Sequence, residues 1–274
     1  MTLLVRNEAD IVRTNIDYHL AQGVDFILAT DNLSQDGTPD ILGEYERAGV
    51  LKLFSERDDT YAQHIWVTRM ARLAYAEFGA DWVINNDTDE FWWPRQGNLK
   101  DALKSVPPES ALLLARRFNF VVEQRSAELP FYARMIHREI SSFNSLGTPL
   151  SPKMAHRGSS SIEIAQGNHA VEGLEPGTPA TELIDILHFP IRSYAQLENK
   201  IAKGGAAYAR NTNLPHSVGD AWRALYGELQ EQGNLRAYFS TVEHNARRLA
   251  ARQAAGELVE DRRLAEFLSS RGLG

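Results

Sequence analysis

From Thr2 to Asp87 the chain alternates short apolar runs with longer amphipathic stretches. "TLLV" (Thr2–Val5) reads as a short strand. The following "NEADIVRTNIDYHLAQG" sets Ile11, Val12, Asn15, Ile16, His19 and Leu20 near one helical face. Asn7 is the expected N-cap of that helix, with Glu8 and Asp10 in its first turn and Gly23 just past its end. "VDFILATD" reads as a buried strand ending at Asp31, and "NLSQDG" as a loop. Thr38 then caps a second helix with Pro39 at its first position. "GVLKLF" predicts a third strand, "AQHIWVTRMARLAYAEFG" a third helix and "ADWVINND" a fourth strand.

Strands alternating with helices through short connections predict an α/β architecture, a Rossmann-like open, mainly parallel sheet with helices on both faces. Ligands of such sheets lie beyond the carboxyl ends of the strands. Asp31 and Asp87 end strands, so both are expected on that edge. From Arg116 to about residue 180 the pattern is irregular and rich in Arg, Ser, Gly, Pro and His, which predicts loops and short strands shaping a site. "ELIDILHFP" is a further strand ending at His188. Ser193 with Gln196 forms a capping box that opens another helix. From Asp220 onward the pattern is helical and amphipathic. The expected boundary lies near Pro190, giving a core over 1–190 and a helical C-terminal extension over 191–274.

Composition narrows the function classes. The 274 residues are 43% hydrophobic and 24% charged, enough apolar material for a full core. A net charge of -7 argues against a nucleic-acid binder, which needs a basic face. No cysteine is present, so any metal must sit on oxygen and imidazole. No stretch is long and apolar enough to predict a transmembrane segment. "MTLLVRNEAD" does not read as a signal peptide, and the expectation is a soluble, cytoplasmic protein.

The densest chemistry lies in "WVINNDTDEFWWP", Trp82 to Pro94. In an extended segment Asp87 and Asp89 face one side and Thr88 and Glu90 the other. Carboxylates at that spacing, roughly 6–7 Å apart at their bases, can converge on one divalent cation. An isolated Asp-x-Asp is ordinarily a solvated turn. Here the apolar strand before it, the aromatics Phe91, Trp92 and Trp93 after it, and Asn85 and Asn86 beside it favour a metal or catalytic role. Two enzyme classes place such acids after a strand. Haloacid-dehalogenase-like phosphohydrolases want Thr or Val where this chain has Phe91, and carry the motif on their first strand. Glycosyltransferases of the GT-A fold use Asp-x-Asp to hold Mn²⁺ or Mg²⁺ against a nucleotide-sugar diphosphate.

Three ordered segments resemble family 2-type glycosyltransferases: "VRNEADIV" (5–12), "TDNLSQDGTPDIL" (30–42) and "GADWVINNDTDEFW" (79–92). The Asp-Glu-Phe-Trp ending resembles a subgroup in which "LHFPIRSYAQLENK" (187–200) matches a recurrent His…Arg-Ser…Lys segment. The resemblance implies a GT-A fold and a metal-dependent, inverting transfer of sugar from a nucleotide-sugar donor to an acceptor hydroxyl. It assigns Asp87, Asp89 and His188 to the metal and Asp31 to the base or ribose. Arg6, Asn7, Glu8, Asp87, Arg192 and Lys200 join the nucleotide-sugar site. Asp36 is expected to shape its turn. Arg69 is assigned to the donor, although "MARLA" departs from the family's Ala-Arg-Asn and leaves the register open between Arg69 and Arg72. Leu33 stands where a glycine is common, so the nucleotide loop is expected to take a different shape.

An inverting transferase also needs a general base. Glu123 and His169 are the first candidates, ahead of Glu172 and Asp185. Lys153, His156 and His169 lie in a loop-rich stretch expected to line the acceptor site or bring a second histidine to the metal. The acceptor is expected to be a glycan or small glycoside. The helical tail is a candidate surface for self-association. A Mg²⁺-dependent phosphohydrolase and a non-catalytic nucleotide-sugar binder remain as alternatives.

Overall fold

The computed structural model of the chain describes residues 1–59, 62–126, 128–144, 146–175, 177–211 and 219–273. In chain order these form β1 (Thr2–Val5), α1 (Val12–Ala21), β2 (Ile27–Asn32), α2 (Thr38–Arg47), β3 (Leu51–Glu56), α3 (Gln63–Ala76), β4 (Trp82–Asp87) and β5 (Glu90–Pro94). Next come α4 (Leu99–Lys104), β6 (Leu112–Asn119), α5 (Phe131–Arg134), β7 (His137–Glu139), β8 (Lys153–Arg157), β9 (Glu163–Ile164), β10 (Val171–Glu172) and β11 (Ile184–His188). The C-terminal part holds α6 (Tyr194–Lys200), α7 (Ala206–Arg210), α8 (Asp220–Gln232), α9 (Arg236–Val242), α10 (Ala246–Ala254), β12 (Leu258–Glu260) and α11 (Arg263–Arg271).

Eight strands make one sheet in the order β3-β2-β1-β4-β8-β6-β11-β5. The first four are mutually parallel, and β8 runs antiparallel to β4 and β6. The open, mainly parallel sheet expected from the alternation is therefore present. Period-two alternation splits its apolar side chains between two faces. Leu3, Val5, Ile27 and Ala29 pack with Val12 and Ile16 of α1, Leu42 of α2 and Leu99 of α4. Leu28 and Val83 point the other way, onto Val67, Met70, Ala71 and Ala74 of α3.

Three local expectations need correction. Helix α1 begins at Val12, and Asn7 does not cap it. Asn7 takes φ 55, the left-handed region that asparagine tolerates better than most residues. Its side chain accepts from Gln35 N (2.7 Å) while its own N–H donates to Ser34 Oγ (2.9 Å). It ties the first strand's exit to the loop after β2. Helix α2 starts at Thr38, so Gly37 and not Thr38 is its N-cap and Pro39 is its second residue; Asp36 Oδ1 holds the Thr38 N–H (2.9 Å), the shaping role expected of Asp36. The third correction is at the acids: β4 stops at Asp87 and a turn carries Thr88 and Asp89 before β5 starts. The chain is not extended there, so period-two geometry does not apply. The aromatics after the turn form an edge strand. Phe91 and Trp92 are fully buried, and Phe91 rests edge-on against Tyr18.

By packing, the chain divides into two compact units. One holds residues 1–58, 62–117 and 151–187, and the other 59–61, 118–150 and 188–274. The second unit contains the helices α6 to α11 together with β7 and β12, which pair antiparallel. Its apolar core joins Leu197, Ile201 and Leu235 to Trp222, Leu225 and Tyr226. A π-helical turn, Ile201–Gly205, carries two glycines against α8. A Cβ on Gly204 would stand 2.4 Å from the Trp222 ring, so only glycine allows that approach.

Candidate active site

The sheet register sets the frame of the site. On one side of β1, Val5 pairs with Asp31; on the other, Leu4 pairs with Asp87. The two aspartates therefore flank β1 at nearly one level of the carboxyl edge, with their Cα atoms two strand spacings apart, or roughly 10 Å, and alternation aims their side chains at opposite faces.

Asp31 has one oxygen on Ser34 N (3.3 Å); the other, Oδ1, is buried without a hydrogen-bond partner. Leu33, next to it, adopts φ 58. A leucine thus takes the left-handed backbone that glycine adopts without strain. Arg72 is committed elsewhere, with Nε on Ile162 O (2.7 Å). Arg69 lies beside Glu56 at the end of β3 (3.8 Å) and over the Phe54 ring, which puts Arg69 on the carboxyl edge. Glu8 serves the backbone: its N–H donates to Thr38 Oγ1 (2.9 Å) and its carbonyl accepts from Ile11 and Val12. Arg6 follows β1 on this edge and is half-buried.

Around Asp87 the protein supplies its own donors. Oδ1 accepts from Asn168 Nδ2 (3.0 Å) and Gln63 Nε2 (3.3 Å), and Oδ2 takes the Lys153 ammonium. Lys153 also donates to Gly167 O (2.8 Å) and stands 3.5 Å from Glu90 Oε1. Arg117 approaches the same Glu90 oxygen at 3.4 Å. The other, Oε2, is buried with no partner. The short turn Gln166–Asn168 makes this convergence: Gly167 (φ 78) turns its carbonyl to Lys153, and Gln63 Oε1 accepts from its N–H (3.1 Å). Asp89 and Glu90 are buried, whereas Asp87 keeps 30% of its side chain exposed.

The electrostatics follow from burial. Loss of water pushes Glu90 up to about 7; Asp87 and Asp89 push the same way, and Lys153 and Arg117 hold it back. Burial lowers His169 to about 4, and the Lys153 and Arg117 charges add to that. The His169 ring lies against Gly167, with Nδ1 3.4 Å from Pro152 O. It is neutral at physiological pH, and a base so weak accepts a proton poorly.

His188, Arg192, Lys200 and Glu123 lie in the second unit. His188 ends β11, and its Nδ1 pairs with Asn119 Oδ1 (2.7 Å). An amide oxygen only accepts, so Nδ1 carries the hydrogen and Nε2 is the basic nitrogen, a tautomer assigned from this contact. Arg192 is buried and donates to Phe189 O (3.2 Å). Lys200 ends α6 with its ammonium over the Trp222 ring (5.4 Å). Glu123 is occupied on both oxygens: Oε1 accepts from Ile136 N (2.8 Å), His137 N (3.1 Å) and His137 Nδ1 (3.0 Å), and Oε2 from Arg125 Nε (2.8 Å). That is a carboxylate holding a chain reversal in place, and it corrects the expectation of a general base.

The divalent cation expected at Asp87 and Asp89 does not fit the donors around Asp87. An ionised carboxylate offers about four lone pairs. Three at Asp87 face N–H hydrogens, one of them on an ammonium. Among the described residues no group of three or more His, Asp or Glu side chains is gathered to hold a metal ion. Lys153, expected in an acceptor loop, is instead the partner of the acids.

Residues 2–219 match the sequence profile of Glycosyltransferase family 92. The chain belongs to glycosyltransferase family 92. The family 2-type resemblance is thus right at the level of a glycosyltransferase, and the family itself is 92. Membership removes the phosphohydrolase alternative. None of the curated proteins matches this family 92 chain. Among solved structures it is similar to S. aureus TarS. The TarS 1-349 complex with UDP-GlcNAc is 15% identical, with a TM-score of 0.43 over 88% of this chain and 74% of that one. The complex with UDP is 14% identical, with a TM-score of 0.41 over 83% and 70%. Likeness at this level decides neither substrate nor mechanism. No helix among the described residues is long and apolar enough to cross a membrane.

Proposed function

We propose that this family 92 chain transfers a glycosyl group from a nucleoside-diphosphate sugar to an acceptor hydroxyl of a glycan or small glycoside. The nucleotide lies across the carboxyl edge between Asp31 and Asp87. The register of β1 carries this reading, because it sets Asp31 and Asp87 side by side across one strand, at the edge where ligands of such sheets bind. The unpartnered Asp31 Oδ1 suits a ribose hydroxyl or a base N–H. Arg69 on the same edge suits a phosphate oxygen. Inversion at the anomeric carbon belongs to the proposal by resemblance, and NMR of the product's anomeric proton reads it.

The test is a thermal-shift and hydrolysis panel of UDP-, GDP- and dTDP-sugars on wild type and Asp31→Ala. At least one donor is expected to raise the melting temperature of wild type and to be slowly hydrolysed, with both effects reduced in Asp31→Ala. A panel in which nothing binds, or in which the variant binds equally well, overturns the reading.

A further inference from the structure

The acid cluster raises a question of charge. Asp87, Asp89 and Glu90 stand within four residues, and two of the three are buried. Buried carboxylates persist only with a counter-charge or a proton. At Asp87 the expected counter-charge is a divalent cation. The structure puts the ammonium of Lys153 there.

We propose that Lys153 is the resident cation of the Asp87–Glu90 cluster, and that this transferase takes up its donor without a divalent ion at Asp87. The second half of the proposal rests on the donor reading above.

Three observations carry it. The first is saturation of the lysine. Its side chain is 1% exposed, and its ammonium, with three hydrogens to give, faces three acceptors: Asp87 Oδ2, Gly167 O (2.8 Å) and Glu90 Oε1 (3.5 Å). The second is the state of Asp87. Asn168 Nδ2 and Gln63 Nε2 present their hydrogens to Oδ1, so an incoming dication would meet the positive ends of N–H bonds there and an ammonium at Oδ2. Metal ions and N–H donors compete for the same lone pairs. The third is Glu90, whose side chain is wholly buried. If Lys153 withdrew to admit a metal at Asp87, Glu90 would lose one of the two side-chain cations that stand against it among the described residues and keep Arg117, at 3.4 Å. Lys153 thus shares one positive charge between two carboxylates from one position, one on each side of the Thr88–Asp89 turn. It acts through those carboxylates and is a positioning residue.

The discriminating experiment follows metal and nucleotide separately. Free Mn²⁺ is read by its EPR signal during titration into wild type, alone and with UDP or GDP. Nucleotide affinity is read by calorimetry in EDTA and in Mn²⁺. Wild type is expected to take up no Mn²⁺ beyond what the nucleotide itself binds, and to show the same nucleotide Kd, within twofold, in both buffers. Lys153→Met, which removes the ammonium and keeps the volume, is expected to gain a Mn²⁺ site that Asp87→Asn in the same chain removes. Mn²⁺ uptake by wild type that Asp87→Asn abolishes would overturn the proposal. So would a tenfold loss of nucleotide affinity in EDTA. If Lys153→Met does not fold, the wild-type and Asp87→Asn titrations still decide. If no nucleotide binds in either buffer, the donor reading fails, and Mn²⁺ titration of the protein alone still decides whether Lys153 holds the cation position.

Discussion

Lys153 Nζ and Glu90 Oε1 lie 3.5 Å apart, and neither side chain reaches water. A buried pair of this kind adds little over an apolar replacement, but removing one partner leaves an unpaired charge. Lys153→Ala is therefore expected to cost about 3–5 kcal/mol in urea unfolding. Lys153→Met combined with Glu90→Gln should cost less than the sum of the single changes, by roughly 1–3 kcal/mol. Strict additivity would show that the two charges do not depend on each other.

Glu90 also gives the stability a pH signature. Its folded-state value of about 7 lies above the ordinary 4.5. Between those values the folded chain holds a proton that the unfolded chain releases. The contribution is thus fully present below about pH 4.5 and is lost as pH rises through 7. The histidines oppose it: His169, His156 and His244 are lowered to about 4, so each adds stability as pH rises from there to 6.5. Three lowered histidines outweigh one raised carboxylate, so wild type should gain stability as pH rises from 4.5 to 6.5, by less than the histidines alone would give. Glu90→Gln should steepen that rise between pH 4.5 and 6.5, seen as a difference in urea midpoint from wild type that grows with pH. An unchanged difference across that window would mean that Glu90 is already ionised.

Asp31→Asn tests the nucleoside contact without removing volume. A hydrogen bond to a charged group is worth about 1.5–3 kcal/mol. The substitution should therefore weaken nucleotide binding by about ten- to a hundredfold in calorimetry, while the melting temperature of the free protein stays the same or rises. A drop in melting temperature with binding intact would make Asp31 a structural residue of its loop.

Glu123→Gln separates a structural carboxylate from a catalytic one. The amide loses the charge that three N–H groups and Arg125 now share. Unfolding free energy should fall by about 2–3 kcal/mol, and turnover per folded molecule should hardly change. A hundredfold loss of kcat with unchanged stability would return Glu123 to the chemistry.

The open sheet is legible because alternation is a local signal. Each strand and helix up to Asp87 announces itself within its own window, and strand ends then locate Asp31, Asp87 and His188. What stays hidden depends on tertiary pairing. Asn7 looks like a helix cap by type, but its partners, Ser34 and Gln35, lie 27 and 28 residues away. Glu123 looks like a base by isolation, and only the return of the chain at Ile136 and His137 shows its task. Lys153 sits in a stretch with no periodicity, and nothing in "SPKMAHRG" announces that its ammonium meets an aspartate 66 residues earlier. The end of β4 is hidden for a related reason. Nothing in "NDTDEF" distinguishes a continuing strand from a turn that starts another.

That turn has a geometric consequence. Strands β4 and β5 stand four places apart in the sheet, yet only Thr88 and Asp89 separate them in the chain. In a flat sheet the gap would be roughly 19 Å, and the linking peptides span at most about 10 Å. The sheet must curl until those two ends come within reach, and the acids sit on the tether that measures the distance. The segment has no slack. Its spacing is dictated by closure as much as by chemistry, so the acids here cannot be lengthened, shortened or slid along the chain without unfastening the sheet that presents them.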